Sequence, residues 1–301
     1  MKIYLFWFVK RLALLGLLIQ PVVAFSQDAA SLPAGRGLLA QQIRIERPDL
    51  KMNGEIVLRS LQPLAGELRL QQARGEPRQI FAAVMRLVPG AKGALDGLFE
   101  QVEIHDLDLQ DLVITLAPEG YTLQLASATI PEGVLEQVTG RLNGQKEWQL
   151  SSGALRLKHI PLASNKGGKP RSLSYRKLEM TGTGQESFSA TVSKPRVGHL
   201  AGLADPTGFF GDVLRAMGFA QGMGSAPLSL DRLSVAAVID AQRMVSRTLQ
   251  LQAPHASASG QATMAWQPHP RQLHLNMAVT TADQSVKHFQ TVLPVSAAPS
   301  S

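Results

Sequence analysis

Histidine is the side chain to test first for site chemistry, and His269, His274 and His288 are its one cluster. The spacing His269-x4-His274 fits no helical zinc pair, and His269 stands between Pro268 and Pro270. The chain has no cysteine, so a zinc site would need these histidines plus a carboxylate such as Asp283. Glu103, Asp106, Asp108 and Asp111 make an acidic patch that would attract calcium. It lacks the glycine and the closing glutamate of a calcium loop, and carboxylates on the wet face of a strand account for it more simply. Gly-x-Ser-x-Gly does not occur, and no Ser-x-x-Lys has its partner motifs. His105-Asp106 has no serine singled out to join it, and Gly182-Thr183-Gly184 is only a fragment of a phosphate loop. The expectation is therefore no enzyme, no catalytic residue, no metal site and no cofactor.

Such a chain must act through its surfaces, and the clearest surface lies between Leu228 and Val279. Leu233, Val235, Ala237 and Ile239 alternate with smaller or wetter residues. Leu249 and Leu251, then Ala262, Met264 and Trp266, then Leu273, Leu275, Met277 and Val279 do the same. Period two places successive side chains on opposite faces of a sheet, so these are strands with one apolar face. Asp240-Ala241-Gln242-Arg243 and Gln267-Pro268-His269-Pro270 mark turns between them.

The N-terminus reads as an export signal over residues 1–26. Lys2, Lys10 and Arg11 precede the apolar run Leu12–Ile19, with small residues at Ala24 and Ser26. The run is shorter than the ~20 residues of a spanning helix, and Gln20-Pro21 interrupts it. Removing three cations from a net charge of +7 leaves 7 − 3 = +4. That excess suits an anionic membrane surface or plain solvent-facing cations. Nucleic acid is not an expected partner, because basic residues are not interleaved with aromatics, which are 5% of the chain. An exported chain without cysteine also has no disulfide and no thiolate chemistry.

Residues 27–163 read as a β-rich half with one helix. Ile43 and Ile45 form a strand ended by Arg47-Pro48, and Asn53-Gly54 reads as a hairpin turn. Ile80, Phe81, Val84 and Leu87 fall at helical spacing between Pro77 and Pro89-Gly90. This stripe suits either a cap on a sheet or a lipid-contacting helix. Val102 and Ile104 alternate, then Leu107 and Leu109 take over in the other phase, which places a bulge near His105-Asp106. Leu112, Ile114 and Leu116 read as a further strand, and Leu135 and Val138 as a helical turn or loop.

Residues 164–172 form a basic, glycine-rich loop, Ser164-Asn165-Lys166-Gly167-Gly168-Lys169-Pro170 being its core. Residues 173–295 read as a second β-rich half. Its helix, Phe209 to Phe219, carries Phe210, Val213, Leu214 and Met217 on one stripe. Residues 296–301 read as a disordered tail. The fold class is thus mainly β: a long curved antiparallel sheet or β-meander with two short amphipathic helices.

The sequence Leu233–Ile239, Leu249-Gln250-Leu251-Gln252-Ala253-Pro254, Ser257–Ala262 and Leu273-His274-Leu275 resembles the C-terminal repeat of AsmA-like envelope proteins. There a strand-turn-strand unit ends in an apolar-Pro stretch and a glycine before a further strand. The turn Asp240-Ala241-Gln242 departs from that pattern in having no glycine. The resemblance implies a periplasmic protein of a Gram-negative bacterium that holds lipid or another amphiphile in an apolar sheet groove. Groove candidates are then Leu233, Val235, Leu249, Leu251, Met264, Trp266, Leu273, Leu275 and Met277, with Met223 and Met244 as further adaptable wall. The same face would equally serve as an ordinary core. A different class of reading is a structural, assembly or secretion-accessory protein that meets an envelope partner through strand edges.

Overall fold

Period-two alternation becomes antiparallel strand nearly everywhere it occurs. The computed structural model describes residues 39–61, 64–87, 106–160, 171–184, 186–198, 209–219, 228–240, 242–265 and 271–295. It is mainly β, with antiparallel pairing and two short helices. The chain divides into two compact units between Gly153 and Ala154.

The first unit is a meander in which each strand pairs with the next. Its strands are β1 (Leu39–Glu46), β2 (Leu50–Leu61), β3 (Leu64–Gly75), β4 (Leu107–Ala117), β5 (Gly120–Ile130), β6 (Gly133–Asn143) and β7 (Glu147–Ser152). Helix α1 (Pro77–Leu87) follows β3 and meets β2 and β3, with Ile80 and Ala83 buried. Of the rest of the expected stripe, the side chains of Phe81, Val84 and Leu87 lie outside the described residues.

One row of bulges decides which residues face inward. In β3 the buried positions run Leu68, Leu70, then Ala73; in β4 Leu107, Leu109, then Leu112. Each sequence skips three residues where two would keep the phase. The skip absorbs Gln71 in β3 and Asp111 in β4, and in β6 it absorbs Gln137. Asp111 and Gln137 both sit at φ 52°, where a Cβ crowds the following carbonyl. The register sets Gln71, Asp111, Ala126 and Gln137 side by side, so four strands change phase together. Leucine therefore stays on the inner face on both sides of the row.

Three expectations are corrected here. Asn53-Gly54 is not a hairpin turn but lies inside β2, and the chain reverses at Arg47-Pro48-Asp49 instead. Gly54 is there for closeness: a Cβ on it would lie 2.1 Å from the Arg69 carbonyl oxygen. Leu107–Leu109 and Leu112–Leu116 are one strand through a bulge, not two. Leu135 and Val138 are neither a helical turn nor a loop; both are in β6, where the bulge at Gln137 imitates a three-residue spacing. Asp106, at φ 53°, stands just ahead of β4, while Val102, Ile104 and His105 lie outside the described residues.

The second unit contains β8 (Leu155–Ile160), β9 (Arg171–Tyr175), β10 (Lys177–Thr183), β11 (Ser187–Ser193) and β12 (Arg196–Gly198). After helix α2 (Phe209–Leu214) and a π-helical turn (Arg215–Phe219) come β13 (Leu228–Ser229), β14 (Arg232–Ile239), β15 (Arg243–Ala253), β16 (Ala256–Ala265), β17 (Arg271–Thr281) and β18 (Val286–Val295). Strands β14 to β18 form a meander, and β11 and β10 extend it beyond β14. At Lys194 and Asp231 two strands break and resume. The Lys194 N–H donates to the Asp231 carbonyl at 2.9 Å, which carries the ladder across the interruption.

The bulge row makes a prediction. Gln137→Val should lower stability by about 1–2 kcal/mol, since a β-branched residue tolerates positive φ poorly. Gln137→Gly should cost nothing measurable. Urea unfolding of both variants checks this, and equal midpoints would contradict it.

Candidate functional site

The second unit gathers the expected wall into rows. Direct antiparallel partners share a face, so the registers can be read across seven strands. One row runs Leu178, Val192, Leu233, Leu251, Ala258, Val279, Lys287. The next runs Met180, Ala190, Val235, Leu249, Gly260, Met277, Phe289. A third holds Phe188, Ala237, Ser246, Ala262 and Leu275. A fourth holds Ile239, Met244, Met264 and Leu273. A bulge at Arg247 in β15 keeps Met244 and Leu249 on one side despite their odd spacing.

Leu233, Val235, Leu249, Leu251, Met264, Leu273, Leu275 and Met277 thus lie on one face, as their alternation suggested. Trp266 and Met223 lie outside the described residues. The wall is not uniform. Leu275 and Met277 are buried, whereas Leu233, Val235, Leu249, Leu251, Met264 and Leu273 are only partly so. Leu178, Ala190 and Val192 belong to the same wall and were not among the candidates. Their alternation was visible but is diluted by Thr and Ser.

Helix α2 and the turn after it cover one end of this wall. Val213 and Met217 join Leu230, Ala253, Ala258, Met277 and Val279 in one buried cluster, with Leu249, Leu251 and Phe289 packed against it. Leu214 is buried as well, and the side chain of Phe210 lies outside the described residues. Small residues on β16 make room for this packing. Gly260 lies under Met277, whose Cγ would stand 2.7 Å from a Cβ placed there. The fourth row lies outside the helix-covered cluster and stays half-buried. Ser246 is the polar side chain buried in the wall, and its Oγ donates to the Thr248 carbonyl at 3.0 Å.

The opposite face is polar and carries little charge. Gln250, Ser259 and His288 flank Ala278, and Gln261, Asn276 and Gln290 adjoin across three strands. His274 and His288 are both exposed there, opposite Val292 and Ala278 respectively, and His269 lies outside the described residues. Asp283 is occupied in its turn: the hydroxyls of Thr281 and Ser285 donate to it and hold its pKa below the ordinary carboxylate range. The acidic patch is likewise engaged. Asp106 accepts two bonds from Arg74 at 3.1 Å, which depress its pKa, and Asp108 accepts from Gln110 at 2.6 Å. Glu103 lies outside the described residues. Among the described residues no three His, Asp or Glu side chains gather as cation ligands.

Among the described residues, two side-chain oxygens are shielded from solvent without a hydrogen-bond partner, Gln79 Oε1 on α1 and the Tyr121 hydroxyl. Tyr121 stands opposite Leu116 and Leu142 on the apolar inner face of the first unit. Its hydroxyl is shielded from solvent and has no hydrogen-bond partner among the described residues. Burial pushes its pKa up. On the outer face, a hollow of about 240 Å³ lies between the β2–β3 and β4–β5 ends, lined by Arg59, Glu67, Thr115 and Ala117 among others.

No protein-family model, no curated protein and no solved structure matches this chain.

Two expectations follow from these titrating groups. Tyr121→Phe should leave the fold intact and raise stability by up to about 1 kcal/mol, because it removes a buried hydroxyl that bonds to nothing. In the wild type, the 295 nm absorbance should show a phenol that stays neutral past the ordinary tyrosine range until the chain unfolds. Asp106, Asp240 and Asp283 all have depressed folded-state pKa values, Asp240 chiefly through the backbone N–H groups of Gln242 and Arg243. Their contribution is full above the unfolded carboxylate pKa and is lost as pH falls through the folded values. Amide exchange at Gln242 and Arg243 should therefore accelerate in acid, beyond the intrinsic pH effect, and a flat acid profile would contradict the assignment.

Proposed function

We propose that this chain is an exported, non-enzymatic envelope protein of AsmA-like kind that holds a lipid or similar amphiphile against an apolar sheet wall. The observation that carries the reading is the uneven exposure of the second unit's inner face. Ile239, Met244, Met264 and Leu273 form a half-buried apolar row outside the cluster that α2 joins, beside the buried row Ala237, Ser246, Ala262 and Leu275. An aliphatic wall with adaptable methionines suits an acyl chain, which gains about 0.8 kcal/mol per buried CH₂ without any directional partner. The N-terminal pattern of basic, apolar and small residues supports export to the periplasm. The basic excess supports transient contact with an anionic membrane surface.

A second reading, an assembly or secretion-accessory protein working through strand edges with an envelope partner, draws support from the long outer strand β18.

Native mass spectrometry of the protein purified from envelope extract decides the first reading. Adducts of lipid mass should be present, and Met264→Glu combined with Leu273→Glu should remove them while the far-ultraviolet spectrum stays β-type. A wild-type protein that carries no lipid and fails to bind a fluorescent fatty acid would end the proposal.

A further inference from the structure

β1 ends the meander of the first unit and β18 that of the second, and the two differ in how they treat their free edges. Among the described residues β1 pairs only with β2, and β18 pairs only with β17. In an antiparallel ladder, residues alternate between bonding to the neighbour and pointing their N–H and C=O away from it. The Arg47 N–H donates to the Leu50 carbonyl, so Ala40, Gln42, Arg44 and Glu46 of β1 point outward. Two of those four are charged, and Arg44 and Glu46 pair with each other at 3.0 Å. That is a blunted edge.

β18 is blunted less: its devices are Pro294 near one end and Lys287 on the apolar face, with no charged residue among the main-chain groups turned outward. The Thr281 N–H donates to the Ser285 carbonyl, so the register turns Val286, His288, Gln290 and Val292 toward the free edge. None of the four is Asp, Glu, Lys or Arg. Val286 and Val292 are also the large apolar residues most exposed among the described ones, at 53% and 50%. Pro294 completes the series; its missing N–H costs the monomer nothing and leaves that one outward position without a donor.

We propose that the free edge of β18 pairs antiparallel with β18 of a second copy, about a two-fold axis at Gln290. Faces match only if even-numbered residues meet even-numbered ones, and these are the residues whose main-chain groups are free. Gln290 then meets its own copy, His288 meets Val292, and Val286 meets Pro294. About eight main-chain hydrogen bonds form, because only Pro294 lacks a donor. Lys287 falls opposite Leu293, which keeps the two lysines about 20 Å apart along the strands at ~3.4 Å per residue. A parallel arrangement would set the lysines side by side, and like charges directly opposite are destabilising. A β18–β1 contact would instead bring charged Arg44 and Glu46 to the seam and would propagate head to tail. The pairing is independent of any bound ligand.

Light scattering after size exclusion, together with hydrogen exchange, tests this on the full mature chain. The wild type should reach dimer mass at high micromolar concentration. The amides of Val286, His288, Gln290 and Val292 should gain protection as concentration rises. Gln290→Pro should be monomeric with an unchanged far-ultraviolet spectrum, since it removes an N–H that the monomer does not use. Val292→Lys, at an already exposed position, should also be monomeric. A wild type that stays monomeric, a dimer that survives both substitutions, or growth beyond dimer into filaments would each overturn the proposal.

Discussion

Parity is the constraint on which both units rest. A strand offers its inner face every second residue, and a one-residue slip would turn every leucine outward. Pairing also demands that the slip of one strand be matched by its neighbour, or buried N–H groups lose their partners. The row Gln71, Asp111, Ala126, Gln137 meets both demands at once. Each strand from β3 to β6 absorbs its extra residue at the same level. Leu70, Leu112, Leu125 and Val138 are buried on one side of the row, and Ala73 and Leu109 on the other. β2 needs no correction of its own, since Met52, Ile56 and Leu58 keep strict alternation. The register shift at Asn53/Gly54 is where the row ends.

Helices serve this arrangement by covering an end of each wall. Ile80 of α1, Val213 of α2 and Met217 of the turn after it are almost fully buried, and a side chain of this kind gains about 1.5–3 kcal/mol when fully buried. The surface ion pairs add far less. Arg44–Glu46 and Lys177–Glu179 are more than half exposed at both partners, and such pairs contribute about 0–1 kcal/mol each. Stability therefore resides in the inner faces and in the completeness of the ladders.

Much of this was legible in the sequence, because alternation is a direct image of a two-faced sheet. The strands around Leu233, Leu249, Met264 and Leu273, the two helices and the Asp240 turn all appear where their patterns place them. The misreadings share one physical cause. Leu135 and Val138 are three apart, which is also a helical spacing, and only the neighbouring strands reveal that Gln137 is a bulge. Asn53-Gly54 has the chemistry of a hairpin turn, but its glycine is used for close approach to β3. In both cases the deciding information is a cross-strand neighbour far away in sequence.

The candidate wall was legible as a face but not as a site. Alternation says that Leu275 and Leu273 share a side; it does not say that one is buried and the other half-open. α2 does not account for it, since its cluster contains Met277 and Val279 but neither Leu275 nor Leu273. Leu275 pairs with Ala262 in the third row, where Ala237 and Ser246 are buried too, whereas Leu273 pairs with half-buried Met264 in the fourth. The wall residues accordingly have two employments. Leu275 and Met277 are core, and truncating either to alanine would cost the unit about 2–5 kcal/mol. Met264 and Leu273 have less packing to lose, so a change there disturbs the fold less.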